Sequence, residues 1–395
     1  MRTKLFVYKM FAVLVVFTFA LSACGGGGSS APAGPDVAAG YTGTVVKNVP
    51  QDLVAACKKE GMLTIIATPP DWANYGEIFA DFQMTSGVKI NSLDPNAGSA
   101  DELAAIEANK SNKGPQAPDV VDVGYAYGKT GKDASQLQPY KVSTWDKIPD
   151  TLLGLPSKDP DGYWTAGYYG VMAVLSNNAV VKTPPANWSD LLKPEYKGQV
   201  ALSGDPRNSN QAVQSVFAAA LANGGSLDNA QPGLDFFKQL NDAGNFVPVV
   251  AKPGTIAQGA TPIVLTWDYL AFGYKDSFAG NPAVTVSYPS PTIASMYVQA
   301  ISAYAPHPNC AKLWMEILHS DEGQIAWMKG YAHGANQADM ESRGVIPADL
   351  AAKLPASSAY ASAVSPSPDQ LAAAKTLIQT GWMTTVGVDI PTPAP

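Results

Sequence analysis

Two short stretches carry the side chains best suited to chemistry. They are Asp71-Trp72, with Tyr75 one turn further on, and Trp267-Asp268-Tyr269. The face of an aromatic ring attracts a cation and a neighbouring carboxylate pairs with it, so each stretch suits an amine. Each also has a plainer use: Asp71 and Asp268 can cap the helices that follow, and Trp72 and Trp267 can pack inside the fold. A third stretch, Asp205-Pro206-Arg207-Asn208-Ser209-Asn210, points two ways. Arg207 and a helix N-terminus there favour an anion, whereas Asp205 favours a cation or caps the helix. Gly124-Tyr125-Ala126-Tyr127 offers two aromatics beside a permissive glycine, as a cleft wall or as packing. Asn96-Ala97-Gly98-Ser99 opens a helix whose amides suit an anion or a plain cap.

Catalytic patterns are not legible. The run Gly124–Thr130 (GYAYGKT) has Val123 where a phosphate-cradling loop needs its first glycine. No HExxH, GxSxG or paired CxxC motif occurs. His307 and His319 sit at opposite ends of one expected helix, too far apart to share a metal. No cofactor and no enzymatic activity are therefore expected; an extracytoplasmic enzyme or a structural surface lipoprotein is the alternative of another class.

The elements that must position these residues alternate. Asp52–Glu60 reads as a helix stopped by Gly61, Leu63–Ala67 as a buried strand, Tyr75–Thr85 as a helix, Val88–Leu93 as a strand, Ala100–Asn109 as a helix and Val120–Val123 as a strand. Such alternation predicts an α/β lobe with a parallel sheet. Further on, Val171–Ser176, Gln199–Ser203 and Pro262–Thr266 read as strands and Gly233–Asn241 as a helix. In open α/β sheets, ligands bind beyond the carboxyl ends of strands, which is where the stretches above fall.

Pro184–Leu221 (PPANWSDLLKPEYKGQVALSGDPRNSNQAVQSVFAAAL) resembles a segment of bacterial extracellular solute-binding proteins of ABC importers, in the group with iron(III), polyamine, thiamine and phosphonate receptors. Trp188, Asp190, Leu191, Leu192, Pro194, Tyr196, Lys197, Gly198, Asp205, Pro206, Ser209 and Ala212 carry it. HPNCAKLWMEIL from His307, SDEGQ from Ser320 and LQPY from Leu137 are similar to further segments of that family. The resemblance runs from Asp52 to Gly344.

It implies a two-lobe α/β fold like periplasmic binding proteins of type II, closing by a hinge over a small-molecule solute and delivering it to a membrane permease. The implied layout has residues 51–165 and 285–345 in one lobe and 166–284 in the other, with crossings near Ala166–Tyr169 and Val284–Pro289, and a C-terminal helical segment over 346–395. Asp71-Trp72 facing Trp267-Asp268 would then make an aromatic box with two carboxylates, similar to polyamine receptors, so a polyamine or like amine is the expected solute. A phosphonate or other anion at Arg207 and the helix N-termini, and then iron(III), are the alternatives. Iron receptors of this family use adjacent tyrosines; the pair Tyr168-Tyr169 lies at the crossing rather than at the family's later position, where TWDYL stands.

Residues 1–23 read as a signal peptide: Arg2, Lys4 and Lys9 precede the apolar run Phe11–Ala20, which is shorter than a membrane span. Leu21-Ser22-Ala23-Cys24 resembles a lipobox, implying a diacylglycerol on Cys24 and an extracytoplasmic place anchored to the cell membrane, in the periplasm or on the outer face. Residues 24–50 read as a flexible tether. Losing three basic residues and no acidic one with the signal takes the formal charge from −7 to −10. That charge argues against nucleic acid or anionic lipid as a partner, and a monomer is expected. Cys57 and Cys310 stand where the family commonly has alanine, which suggests a disulfide; two separate buried thiols is the other reading.

Overall fold

Residue Thr165 begins a thirteen-residue strand on which both halves of the molecule are hung. The computed structural model describes residues 36–354 and 363–391, so the expectations for the signal peptide, Cys24 and most of the tether lie outside the described residues. The chain opens with α1 (Gln51–Glu60), β1 (Met62–Ile66), α2 (Tyr75–Ser86), β2 (Lys89–Leu93), α3 (Ser99–Asn109), β3 (Val120–Gly124), α4 (Tyr125–Asp133) and β4 (Leu137–Gln138). Two short strands, β5 (Thr151–Leu152) and β6 (Leu155–Pro156), lead to β7 (Thr165–Asn177). Then come β8 (Val200–Leu202), α5 (Asn210–Ala222), α6 (Gln231–Asp242), α7 (Pro253–Ala257), β9 (Ile263–Trp267), α8 (Asp268–Ser277), β10 (Val284–Ser287) and β11 (Thr292–Ser302). The remainder is α9 (Pro308–Leu318), α10 (Asp321–Lys329), β12 (His333–Gly334), α11 (Gln337–Arg343), α12 (Ala348–Lys353), β13 (Ala363–Val364) and α13 (Pro368–Thr385).

Along β7 every residue but Tyr169 is buried, which explains its near-continuous apolar run. Its first half, to Val171, pairs antiparallel with β11, which also pairs with β3 and β4. Its second half, from Met172, pairs with β9, and β9 pairs in parallel with β8. The two half-sheets thus share one strand. β10 also pairs with the second half of β7. The return to the first half therefore falls in β11, later than the expected crossing at Val284–Pro289. Of the two readings of Gly124-Tyr125-Ala126-Tyr127, cleft wall or packing, the structure has packing: α4 starts at Tyr125 and both tyrosines are buried.

Local sequence explains the boundaries. Gly61 ends α1 at φ +78°, a left-handed cap that favours glycine. Ser209 caps α5 by accepting the Ala212 amide, and Ser367 caps α13 with Gln370 in a reciprocal box and Pro368 in the first turn. Asn210–Ala220 is buried at every position, because β9, β11, α6 and α13 all pack on α5. Cys57 on α1 and Cys310 on α9 form a disulfide, with Cα atoms 4.4 Å apart. Among the described residues no helix is long and apolar enough to cross a membrane.

Candidate functional site

The carboxyl ends of β1, β2, β3 and β8 converge on one cleft of about 160 Å³. Trp72 follows β1, Asn96 to Ser99 follow β2, Asp122 lies in β3, Ser203, Gly204, Asp205, Asn208 and Ser209 come from the link between β8 and α5, and Asn210 and Gln211 open α5. Glu102 from α3, Tyr297 from β11, Lys252 and Ile390 complete the lining.

The walls touch. Asn208 Nδ2 donates to Asp101 Oδ2 at 3.1 Å, the Ala100 amide donates to the Asn208 carbonyl at 3.4 Å, and Lys252 Nζ donates to Asn96 Oδ1 at 2.9 Å. Gly98 permits this approach, since a Cβ there would lie 2.7 Å from the Asn208 carbonyl oxygen. Gly124 does the same against the Asn210 side chain, at 2.1 Å.

Two buried carboxylates form the acidic side of the cleft. Glu102 Oε2 accepts the Asp122 amide at 2.9 Å. Asp122 Oδ2 accepts the Tyr168 hydroxyl at 2.7 Å and Oδ1 accepts Gln299 Nε2 at 2.6 Å. The Tyr168 hydroxyl in turn accepts Trp72 Nε1 at 2.6 Å, so the indole is oriented by the same network. Burial pushes the Asp122 carboxyl up to about 7, against the lowering effect of its hydrogen bonds from Tyr168, Tyr75 and Gln299. Burial, and then the Asp122 charge, hold the Glu102 carboxyl well above the usual range. Trp72 stands edge-on to Tyr297 and Tyr269, with ring centres 5.4 and 5.8 Å away. The Asn210 amide nitrogen is buried without a hydrogen-bond partner. Lys252 is half-buried, and burial lowers its ammonium below the ordinary lysine range.

Of the residues singled out from sequence, Trp72, the stretch Asn96 to Ser99, and Asp205, Asn208, Ser209 and Asn210 line the cleft. Asp71 is exposed outside it. Tyr75 is in the core, stacked between Phe79 and Trp314. Tyr125 donates its hydroxyl to the Pro156 carbonyl, and Tyr127 lies against α13, accepting Gln379 Nε2; both are buried away from the cleft because α4 turns them inward. Arg207 grips Asp205 and reaches Asp389 at 2.7 Å, so its guanidinium is spent within the protein. Trp267 is buried, stacked on Tyr269. Asp268 is buried behind the site, accepting the Val171 and Tyr269 amides at 2.9 Å each. The expected box of Asp71-Trp72 with Trp267-Asp268 is therefore not assembled; Tyr269 backs Trp72 but does not reach the cleft lining. Tyr169 stacks on His333 with ring centres 4.7 Å apart, and among the described residues no three His, Cys, Asp or Glu side chains come together as a metal-ligating group.

Asp122, Glu102, Lys252 and Tyr297 were not singled out from sequence. The available signal was a charged residue inside the apolar strand Val120–Gly124, since a buried carboxylate is retained against a desolvation cost.

Residues 116–348 match the family model described as bacterial extracellular solute-binding protein. The chain belongs to that family. Over 224 residues it is 27% identical to the spermidine/putrescine-binding periplasmic protein of Escherichia coli (strain K12), covering 54% of this chain and 62% of that relative's length. Among solved structures, the fructose-6-phosphate-bound periplasmic binding protein AfuA of Actinobacillus pleuropneumoniae superposes with a TM-score of 0.64 at 21% identity, over 83% of this chain and 98% of its own. Iron-bound HitA of Pseudomonas aeruginosa gives 0.62 at 15% identity, over 83% and 99%. A putative spermidine/putrescine ABC transporter protein of Listeria monocytogenes gives 0.62 at 14%, over 82% and 98%. The shared architecture is the two-lobe fold of periplasmic binding proteins, and such likeness among binders of iron, sugar phosphate and polyamine names no solute.

Proposed function

We propose that this member of the family is the solute-binding component of an ABC importer, and that it captures a small organic amine of the putrescine class. The observation that carries the amine is the Asp122–Glu102 pair: two buried carboxylates without a basic partner among the described residues, in one cleft with Trp72 and Tyr297. An ammonium there would gain charge pairing and cation–π attraction together. The 27% identity to a spermidine/putrescine-binding protein supports the same choice. An anion at Arg207 is disfavoured by the ion pairs Arg207 makes with Asp205 and Asp389.

In this proposal one lobe comprises residues 51–165 with the chain from β11 through α11, the other runs from the middle of β7 through β10, and the C-terminal segment with α13 follows separately. The lobes open and close where β7 and β11 cross between the half-sheets. The permease would select the closed, loaded form by its surface. Nothing is chemically converted. The protein would work as a monomer outside the cell membrane, tethered by a lipidated Cys24, as Leu21-Ser22-Ala23-Cys24 suggests.

A thermal-shift panel tests the solute class. Putrescine or spermidine should raise the melting temperature by several degrees at saturating concentration, with phosphate, methylphosphonate and iron(III) giving none. A rise with phosphate or iron(III) alone would overturn the amine.

A further inference from the structure

The last described segment lies beyond the family match, which ends at residue 348, yet it reaches the cleft. Leu371, Ala374, Ile378 and Trp382 make one buried face of α13, at helical spacing. That face packs on α5 and α6. Trp382 sits between Phe237 and Phe246, with ring centres 5.6 and 6.0 Å away. Its Nε1 donates to the Val388 carbonyl at 2.8 Å, holding the chain where it turns back at Gly387, φ +78°. Two further bonds then tie the returning chain down: Arg207 to Asp389 at 2.7 Å, and the Val250 amide to the Pro391 carbonyl at 3.1 Å. Ile390, between them, is 3% exposed and lines the cleft.

A flank of the same helix touches α4, which directly follows the strand carrying Asp122. Gln379 Nε2 donates to the Tyr127 hydroxyl at 2.9 Å, and Lys375 Nζ lies 3.9 Å from the centre of the Tyr127 ring. α13 is therefore anchored on α5 and α6, the helices that follow β8, and latched to α4, the helix that follows β3.

We propose that the C-terminal segment is a strap across the two lobes, with Ile390 as a specificity-determining wall of the solute site and the Tyr127 contacts of Gln379 and Lys375 as the latch that holds the closed form. The proposal rests on the cleft being the solute site. Ile390 supplies an apolar surface to the cleft that Asp122 and Glu102 also line, suited to the methylene chain of an amine whose ammonium pairs with Asp122. Opening the lobes must part α13 from Tyr127, because its Trp382 anchor moves with the other lobe.

The test is calorimetry and stopped-flow with putrescine on the wild-type protein and on Ile390→Trp, Ile390→Ala and the double variant Gln379→Ala/Lys375→Ala, with Thr380→Ala on the exposed side of α13 as a control. Ile390→Trp should lower affinity at least about 100-fold by filling the cleft, and Ile390→Ala about 5-fold by removing apolar contact. The latch variant should dissociate putrescine about tenfold faster. Its solute-free form should show a larger radius of gyration in small-angle scattering than the wild type, a readout that needs no ligand. Wild-type binding together with unchanged affinity in Ile390→Trp would overturn the Ile390 assignment and leave the cleft reading intact. Unchanged dissociation and scattering in the latch variant would overturn the latch. A wild-type protein that binds no amine would overturn the cleft reading itself, and the specificity role of Ile390 with it.

Discussion

Glu102 and Asp122 sit back to back: the carboxylate of one accepts the backbone amide of the other at 2.9 Å, and both side chains are buried. Neither has a basic partner among the described residues, so each charge is paid for only by hydrogen bonds until a cation arrives.

That arrangement makes binding and stability depend on pH in opposite senses. The folded Asp122 carboxyl titrates near 7, against about 3.9 in an unfolded chain. Its folded value is raised, so its contribution to solute-free stability is full below the unfolded value and lost as pH rises from about 4 through 7. An ammonium needs the ionised form. Putrescine affinity should therefore rise about tenfold per pH unit up to about 7 and then level, with proton release on binding below that point. Calorimetry in buffers of differing ionisation enthalpy measures this; affinity independent of pH from 5 to 8 would contradict it.

Asp268 has a structural task instead. It accepts the amides of Val171 and Tyr269 and, at 3.3 Å, the Tyr288 hydroxyl, fixing the start of α8 to β7. Asp268→Asn should cost about 1–2 kcal/mol of stability while leaving putrescine affinity within about threefold. Denaturant melts and calorimetry separate the two; loss of binding at unchanged stability would return Asp268 to the site.

The Cys57–Cys310 bridge joins positions 253 residues apart. Reducing it should lower stability by about 2–5 kcal/mol. A protein beginning after Cys24 should show no free thiol in denaturant before reduction and two after it. Two thiols before reduction would remove the bridge from the account.

Much of the fold was legible because its signals are local. The start of α2 at Tyr75 follows from apolar spacing and the stop of α1 at Gly61 from cap chemistry, whereas the cap of α5 had several candidates around Asp205 and falls to Ser209. The site was less legible because it is assembled from strand ends distant in sequence. The sequence stretch at Trp267-Asp268 resembled a binding pair, but Asp268 is turned toward the backbone of β7. Asp122 lay hidden in a strand whose apolar neighbours read as core, and the cleft walls beside it meet only through the close approaches at Gly98 and Gly124. Ile390 had no local signal at all; only the tertiary path of the C-terminal segment brings it there.

The central claim, that the cleft takes an amine on its buried carboxylates, is tested most directly by titrating putrescine into wild-type protein and Asp122→Asn at pH 7.5. The account predicts saturable 1:1 binding to the wild type and a loss of at least about 100-fold in the variant, whose solute-free melting temperature stays equal or rises because a buried charge has been removed. Equal putrescine affinity in the two proteins would contradict it.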